Sequence, residues 1–258
     1  GNTHIKWFSD FNDVDIIALC DVDENRLGKS QKRLSENNIK VDTYNDFRHI
    51  LERKDIDAIT YATPDHWHAL IGIEACNAGK DIYMEKPITF TIKESLKLAE
   101  AVRRNHVIFA TGSQQRSDRN YQHAVNMVHR EAEGFGHLTK VNAYVGPGPD
   151  PYDLPKEEVP SDLDWQDWLG PLPYVHYNSK LNPPISLDPP KNETFWAKWR
   201  YFKETGGGFT CDWGAHNFDI GQWGLAKGGP VKIIPPGSEG KNHLTYVYDN
   251  GVEMVNEE

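Results

Sequence analysis

Several stretches of the sequence hold side chains whose types and spacing could do chemistry. Glu85-Lys86-Pro87 follows the short apolar-weighted run 81–84. Such a run suits a strand inside a parallel sheet, and open α/β sheets bind ligands beyond the carboxyl ends of their strands. A lysine placed there beside a rigid proline can reach a ligand and stabilise developing alkoxide charge, or share a proton if burial lowers its pKa. Spacing alone favours the plainer reading, a strand-end lysine in solvent. Asp212 and His216 are four apart on an expected helix, with Asp219 three further on, so they stack on one face. Histidine is the natural base near neutral pH, and an aspartate beside it can orient it or bind a neighbouring hydroxyl. By itself, however, D-x-x-x-H is usually an ordinary polar contact. Asp21 ends the apolar run 16–20. Dinucleotide folds place an acidic residue about 20 residues beyond a glycine loop, where it accepts from ribose hydroxyls. Gly1 stands at that distance and fits the last glycine of such a loop. The alternative is that Asp21 caps the helix expected from D23-E-N-R-L-G-K29.

These residues need elements to position them. Thr91 and Glu94 have the spacing of a capping box, and Ile92, Leu96, Ala99 and Val102 are expected on one buried helical face. Strands are expected at 39–41, 56–62 and 107–111. Asn45 is expected to cap a helix at 46–52, and a helix over 66–78 should be stopped by Gly79. This alternation implies βαβ units and a parallel sheet. The corner T63-P-D-H-W-H68 also lies at a strand end, and the helix beginning there favours anionic groups. His66 and His68 are two apart and point to different helix faces, so no metal site is expected.

From Gly112 the character changes. A polar hinge at 112–117 precedes a helix at 120–130 and an alternating strand at 138–145. The long proline-rich loop 146–195 carries Trp165, Trp168, Tyr174 and Tyr177. Aromatic faces suit sugar rings, although packing onto the loop's own domain is their commoner use. The run F195-W-A-K-W-R-Y-F202 leads to Gly206, Gly207 and Gly208, which let backbone segments approach closely.

The chain has 258 residues and a net charge of −10, which argues against a nucleic-acid surface. Cys20, Cys76 and Cys211 are widely spaced in apolar or small-residue settings and read as buried free thiols. No apolar run reaches the length of about 18 residues needed to span a membrane. Gly1 opens straight into a helical stripe of Ile5, Phe8 and Phe11, and the sequence ends inside an expected strand at 252–258, so the chain reads as a fragment. Cytoplasmic location is the default, with export possible.

E85-K-P87, A62-T-P-D-H-W-H-A69 and G206-G-G-F-T-C-D-W-G-A-H-N-F-D219, in this order and spacing, resemble the Gfo/Idh/MocA oxidoreductases. These are nicotinamide-dependent sugar and polyol dehydrogenases and their relatives, and the resemblance runs through nearly the whole chain. The proline-rich run 149–155 and D-W-Q-D-W-L-G-P at 164–171 are similar to a subgroup common in glycan-degrading bacteria. The resemblance implies an α/β chain with two domains. Residues 1–112 would be an N-terminally truncated Rossmann-like domain with a parallel sheet, and 113–258 a substrate-binding domain with a mostly antiparallel open sheet. It implies Lys86, Asp212 and His216 as the catalytic set, with His216 as acid/base. Gly1, Asp21, Thr63, Pro64, His68, Glu85, Lys86 and Gln115 would bind the cofactor, and Arg116, Trp165, Arg200 and Tyr201 the substrate. The implied cofactor is NAD, since a carboxylate at Asp21 would repel the 2′-phosphate of NADP. It also implies a cis Lys86-Pro87 bond. A small carbohydrate is the expected substrate and a homo-oligomer the expected assembly, with no nucleic acid and no membrane. The alternatives are a glycosidase that uses NAD for transient oxidation, or a non-catalytic sugar-binding relative.

Overall fold

The computed structural model of the chain describes residues 1–130, 136–183 and 196–257; Phe195, at the start of the aromatic run before the glycines, lies outside them. The chain forms two compact units, Gly1–Gly112 with Asp150–Gly206, and Ser113–Pro149 with Gly207–Glu258.

In the first unit, strands and helices alternate. They are α1 (Asn2–Phe8), β1 (Ala18–Cys20), α2 (Glu24–Glu36), β2 (Asp42–Tyr44), α3 (Phe47–Glu52), β3 (Ala58–Tyr61), α4 (Asp65–Asn77), β4 (Asp81–Met84), α5 (Ile92–Asn105) and β5 (Phe109–Thr111). β1 pairs with β2, and β4 lies between β3 and β5; every pairing is parallel. Each crossover therefore needs a helix. Asp23 caps α2 by accepting from the Arg26 amide, and Thr91 and Glu94 make the expected capping box on α5. Asp46, not Asn45, caps α3 through the Arg48 amide. Gly79 follows α4 with φ +73°, a conformation glycine adopts without penalty.

The core joins Tyr61, Ile71, Ala75, Cys76, Ile82, Met84, Leu98 and Ala101. α4 and α5 meet closely at Gly72, where a Cβ would lie 2.9 Å from Leu98 Cδ1. α5 buries a different face from the one expected. Leu98 and Ala101 point inward, while Ile92 is 78% and Leu96 66% exposed. Both positions are apolar by type, and the register of α4 against α5 decides which stripe is covered.

The segment Asp150–Gly206, expected in the second domain, belongs by its contacts to this first unit. It has its own core of Trp165, Trp168, Tyr177, Leu181, Trp199 and Phe202. Backbone bonds stitch it to the strand-and-helix layer, from the Glu24 amide to Asp162 O (2.8 Å) and from the Asp164 amide to Val22 O (3.0 Å). Trp67 Nε1 donates to the carbonyls of Asp167 and Trp168, and His66 Nε2 donates to Trp168 O at 2.9 Å. Asp164 caps the short α7 (Trp165–Leu169) inside this segment.

The second unit contains a 3-10 turn (Gln114–Ser117), α6 (Arg119–His129), β6 (Lys140–Asn142), α8 (Gly208–Asp212), α9 (Gly214–Leu225), β7 (Lys232–Ile234), β8 (Thr245–Val247) and β9 (Glu253–Val255). Its sheet has the order β6-β9-β8-β7, with β6 parallel to β9 and the other two pairings antiparallel. α9 lies against the sheet at Gly221, where a Cβ would stand 2.6 Å from Met254 Sδ. None of the three cysteines is in a disulfide. Among the described residues no helix is long and apolar enough to cross a membrane.

His66 is 2% exposed, and burial depresses its pKa to about 4 despite its bond to the Trp168 carbonyl. The unfolded chain therefore takes up a proton below pH 6.5 that the folded chain refuses until about pH 4. Stability is retained above pH 6.5 and lost as pH falls through that window, by up to roughly 3 kcal/mol from this group. Urea unfolding midpoints measured from pH 7 to 4.5 should fall, and His66→Gln should flatten the slope. An unchanged slope in the variant would contradict the assignment.

Candidate active site

Glu85, Lys86 and Pro87 stand at the carboxyl end of β4, the middle strand of its sheet. The ladder continues into the corner, with the Glu85 amide donating to Tyr61 O at 3.1 Å and the Gly112 amide to Met84 O at 2.7 Å. The Lys86-Pro87 bond is cis. The Glu85 carboxylate is held by His4, which lies on α1 and is 3% exposed. His4 Nε2 donates to Glu85 Oε1 at 2.8 Å, which leaves Nδ1 to accept from Thr60 Oγ1 at 2.7 Å. Burial opposes ionisation of Glu85, but the His4 ring and the Lys86 amide outweigh it and hold the carboxyl below its ordinary value. Gly112 makes room, since a Cβ there would be 2.8 Å from Glu85 Oε2. His4 and Gly112 are working parts of this corner that the sequence reading missed. The only signal was a histidine three places after Gly1 in an apolar stripe.

The neighbouring corner holds Thr63 and Pro64, the latter at the N-cap of α4. Thr63 Oγ1 is buried without a hydrogen-bond partner. Asp21 follows β1, and one carboxylate oxygen accepts from the Asp23 amide at 3.0 Å. Burial raises its pKa, and that amide bond partly offsets the rise. Because Asp23 is the cap of α2, the capping alternative for Asp21 falls away. Gly1 lies within electrostatic range of Glu85, Asp21, Arg200 and Arg26. The orphaned Thr63 hydroxyl, the Asp21 carboxylate at a strand end and the start of α4 offer donors and acceptors of kinds that fit a dinucleotide.

His68 was expected to line the groove beside Thr63 and Pro64. It is instead 1% exposed, with both ring nitrogens against backbone carbonyls. Trp165 was expected to meet substrate. It is 6% exposed, stacked on Trp168 at 4.5 Å, and its indole N–H donates to Val175 O. Both residues are spent on the interior of the first unit. Arg200 and Tyr201 sit on a 3-10 turn (Lys198–Tyr201), with the Arg200 guanidinium over the Trp199 ring at 4.3 Å.

In the second unit Asp212 and His216 are both 6% exposed. They do not share one continuous helix. Asp212 ends α8 and His216 lies in the first turn of α9, with the break at Trp213, whose backbone remains helical. Arg116 was expected to bind substrate, but its guanidinium makes two 2.7 Å bonds to the Asp219 carboxylate and lies over Trp223. This fork-to-fork pairing joins the 3-10 turn to α9. Next to it, Gln115 Oε1 is buried without a partner. Among the described residues no group of three or more His, Cys, Asp or Glu could hold a metal ion.

The three glycines are sterically required. A Cβ would lie 2.5 Å from Arg200 O at Gly206, 2.2 Å from Cys211 Cβ at Gly207, and 2.4 Å from Pro149 N at Gly208. Gly208 also has φ +68°. Gly208→Ala should cost about 3 kcal/mol or more, from overpacking and the positive φ together. Gly224→Ala, in α9 with nothing within 4 Å, should be neutral or stabilising. Thermal unfolding of both variants checks this; equal melting temperatures would contradict the packing account.

Residues 1–113 match the family described as "Oxidoreductase family, NAD-binding Rossmann fold" (GFO_IDH_MocA). The chain is 24% identical over 174 residues to the inositol 2-dehydrogenase of Salmonella typhimurium, covering 66% of this chain and 51% of that one. It is 29% identical over 109 residues to a glycosyl hydrolase family 109 protein of Shewanella, covering 40% of this chain and 24% of that one. The chain thus spans about half, or less, of the curated relatives it matches. Its fold superimposes on GenD2 from gentamicin A biosynthesis, solved in complex with NAD, with a TM-score of 0.67 at 16% identity, over 98% of this chain and 61% of that one. Residues 1–113, with their parallel strands and the Glu85–Lys86–Pro87 corner, are thus similar to the NAD-binding Rossmann fold of the Gfo/Idh/MocA oxidoreductases.

Proposed function

We propose that the protein transfers a hydride between NAD and a sugar, polyol or glycoside. The observation that carries this reading is the corner at the end of β4, where Lys86 stands beside the Glu85–His4 pair in a stretch that matches a family whose fold binds NAD. When bound, NAD supplies the hydride acceptor. In this reading Asp21 accepts from the adenosine ribose, and Thr63, Pro64, Glu85 and Gln115 border the cofactor. Lys86, Asp212 and His216 are the catalytic set, and Arg200 and Tyr201 contact substrate. Arg116, half exposed beside its Asp219 partner, remains a substrate contact in this reading, and Trp165 is left out because the aromatic core holds it.

Oxidising an alcohol releases the hydroxyl proton as the hydride leaves carbon. His216 takes that proton. The Lys86 ammonium stabilises the negative charge growing on oxygen, so its contribution is largest in the transition state. Asp212 binds a neighbouring hydroxyl or orients the histidine.

A second reading, favoured by the similarity to the Shewanella protein, is a glycosidase that oxidises transiently, eliminates the aglycone and regenerates NAD. Both readings require the same hydride and base groups. Incubating the full-length protein with NAD and a panel of polyols and aryl glycosides separates them. Net NADH formation is the expected result; aglycone release without net NADH would establish the glycosidase, and neither would overturn both. His216→Ala should lower turnover by about 10²–10⁴-fold with little change in NAD affinity. Unchanged turnover would remove His216 from the mechanism.

Asp21 should make NAD the preferred cofactor. Titrating NAD and NADP into the parent protein should show tighter NAD binding, and Asp21→Ala should narrow the gap by relieving repulsion of the 2′-phosphate. Equal affinities in the parent would contradict the ribose role.

A further inference from the structure

The corner that carries Lys86 is braced from behind by a side chain that can touch neither substrate nor solvent. His68 lies in the first turn of α4, 1% exposed. Its Nδ1 is 2.6 Å from the Pro87 carbonyl oxygen and its Nε2 is 3.1 Å from the Thr63 carbonyl oxygen. Tyr61 completes the setting, with its ring edge-on to the imidazole at 5.8 Å and its hydroxyl donating to the His68 carbonyl at 2.9 Å. One imidazole thus spans the carbonyls that flank the two strand-end corners, one after β3 and one after β4.

Both partners are acceptors, so a neutral ring can donate to only one of them. Burial pulls the imidazole below its ordinary pKa, against the two carbonyls, which raise it. The ring is therefore neutral near pH 7. The shorter contact takes the N–H, which makes Pro87 the true partner. The Pro87 carbonyl would otherwise be a buried acceptor free to swing, and the residue bonded to Pro87 is Lys86.

We propose that His68 is a positioning residue for Lys86: through its Nδ1–H bond to the Pro87 carbonyl it fixes the corner from which the lysine reaches the substrate. This rests on the reading of Lys86 as a catalytic group. A side chain misplaced by about 1 Å can cost roughly 10²-fold in rate, so the brace matters to turnover more than to binding.

The test uses His68→Asn, His68→Gln and His68→Leu in the full-length protein, with Lys86→Ala alongside. The Asn amide can place an N–H near the Nδ1 position and keep the Pro87 bond; the Gln amide reaches the Nε2 position and does not. His68→Asn should keep kcat within about 10-fold of the parent, while Gln and Leu lose about 10²-fold. Their NAD dissociation constants and melting temperatures should be alike across the three variants. A general loss of packing would instead order the variants by melting temperature, not by which nitrogen is replaced, and would overturn the proposal. So would His68→Leu with normal kcat while Lys86→Ala is inactive. If Lys86→Ala itself turns over normally, the catalytic reading of the lysine fails first, and the brace has nothing to position.

Discussion

A buried polar corner must have its hydrogen bonds satisfied or it does not stay put, and the corner after β4 satisfies its bonds from both sides. The ladder to β3 and β5 fixes where the strand ends. His4 then takes the Glu85 carboxylate and His68 the Pro87 carbonyl. An unpaired buried acceptor costs about 1–3 kcal/mol, so a placement of the corner that broke the His68 bond would leave the carbonyl of the buried Pro87 unpaired. Lys86 is the residue between these two anchored neighbours. Its reach follows from the backbone around it, which is why helices α1 and α4 matter to a lysine they do not contain.

The second unit solves a similar problem with close backbone approach. Gly207 and Gly208 bring the chain against Cys211 and Pro149 at distances no Cβ permits, and the chain then turns directly into the helices that bear Asp212 and His216. The bidentate bond between Arg116 and Asp219 ties the turn after the hinge to α9. In the first unit the residues suited to chemistry sit at the ends of strands, and in the second they flank the break between α8 and α9. There the backbone has stopped pairing with itself and its groups can be aimed at a ligand.

Much of this was legible in the sequence. The apolar run before Glu85, the Thr91–Glu94 spacing and Gly79 are local signals, and local physics decides a strand, a capping box and a helix stop. The glycine triplet was legible too, because only close approach explains three in a row. What stayed hidden depends on partners far along the chain. Nothing near Arg116 announces Asp219, 103 residues away. Nothing in Ile92 or Leu96 shows that α4 covers the other face of α5. Trp165 looked like a sugar platform because its type allows it, yet Trp168, Tyr177 and Val175 had a prior use for it. His68 was placed in the right neighbourhood with the wrong orientation, since sequence gives proximity to a corner but not which side of the backbone a ring occupies.

The central claim is that carbon-bound hydrogen leaves the substrate as hydride at the site Lys86 serves. It is tested most directly by following the label. Polyols and glycosides deuterated at their CH–OH carbons are incubated with NAD and the full-length protein, and the nicotinamide is analysed by mass spectrometry. The account predicts deuterium on the nicotinamide ring with at least one of these substrates, and a transfer rate reduced severely in Lys86→Ala. Absence of label across the whole panel, or transfer in Lys86→Ala as fast as in the parent, would contradict it.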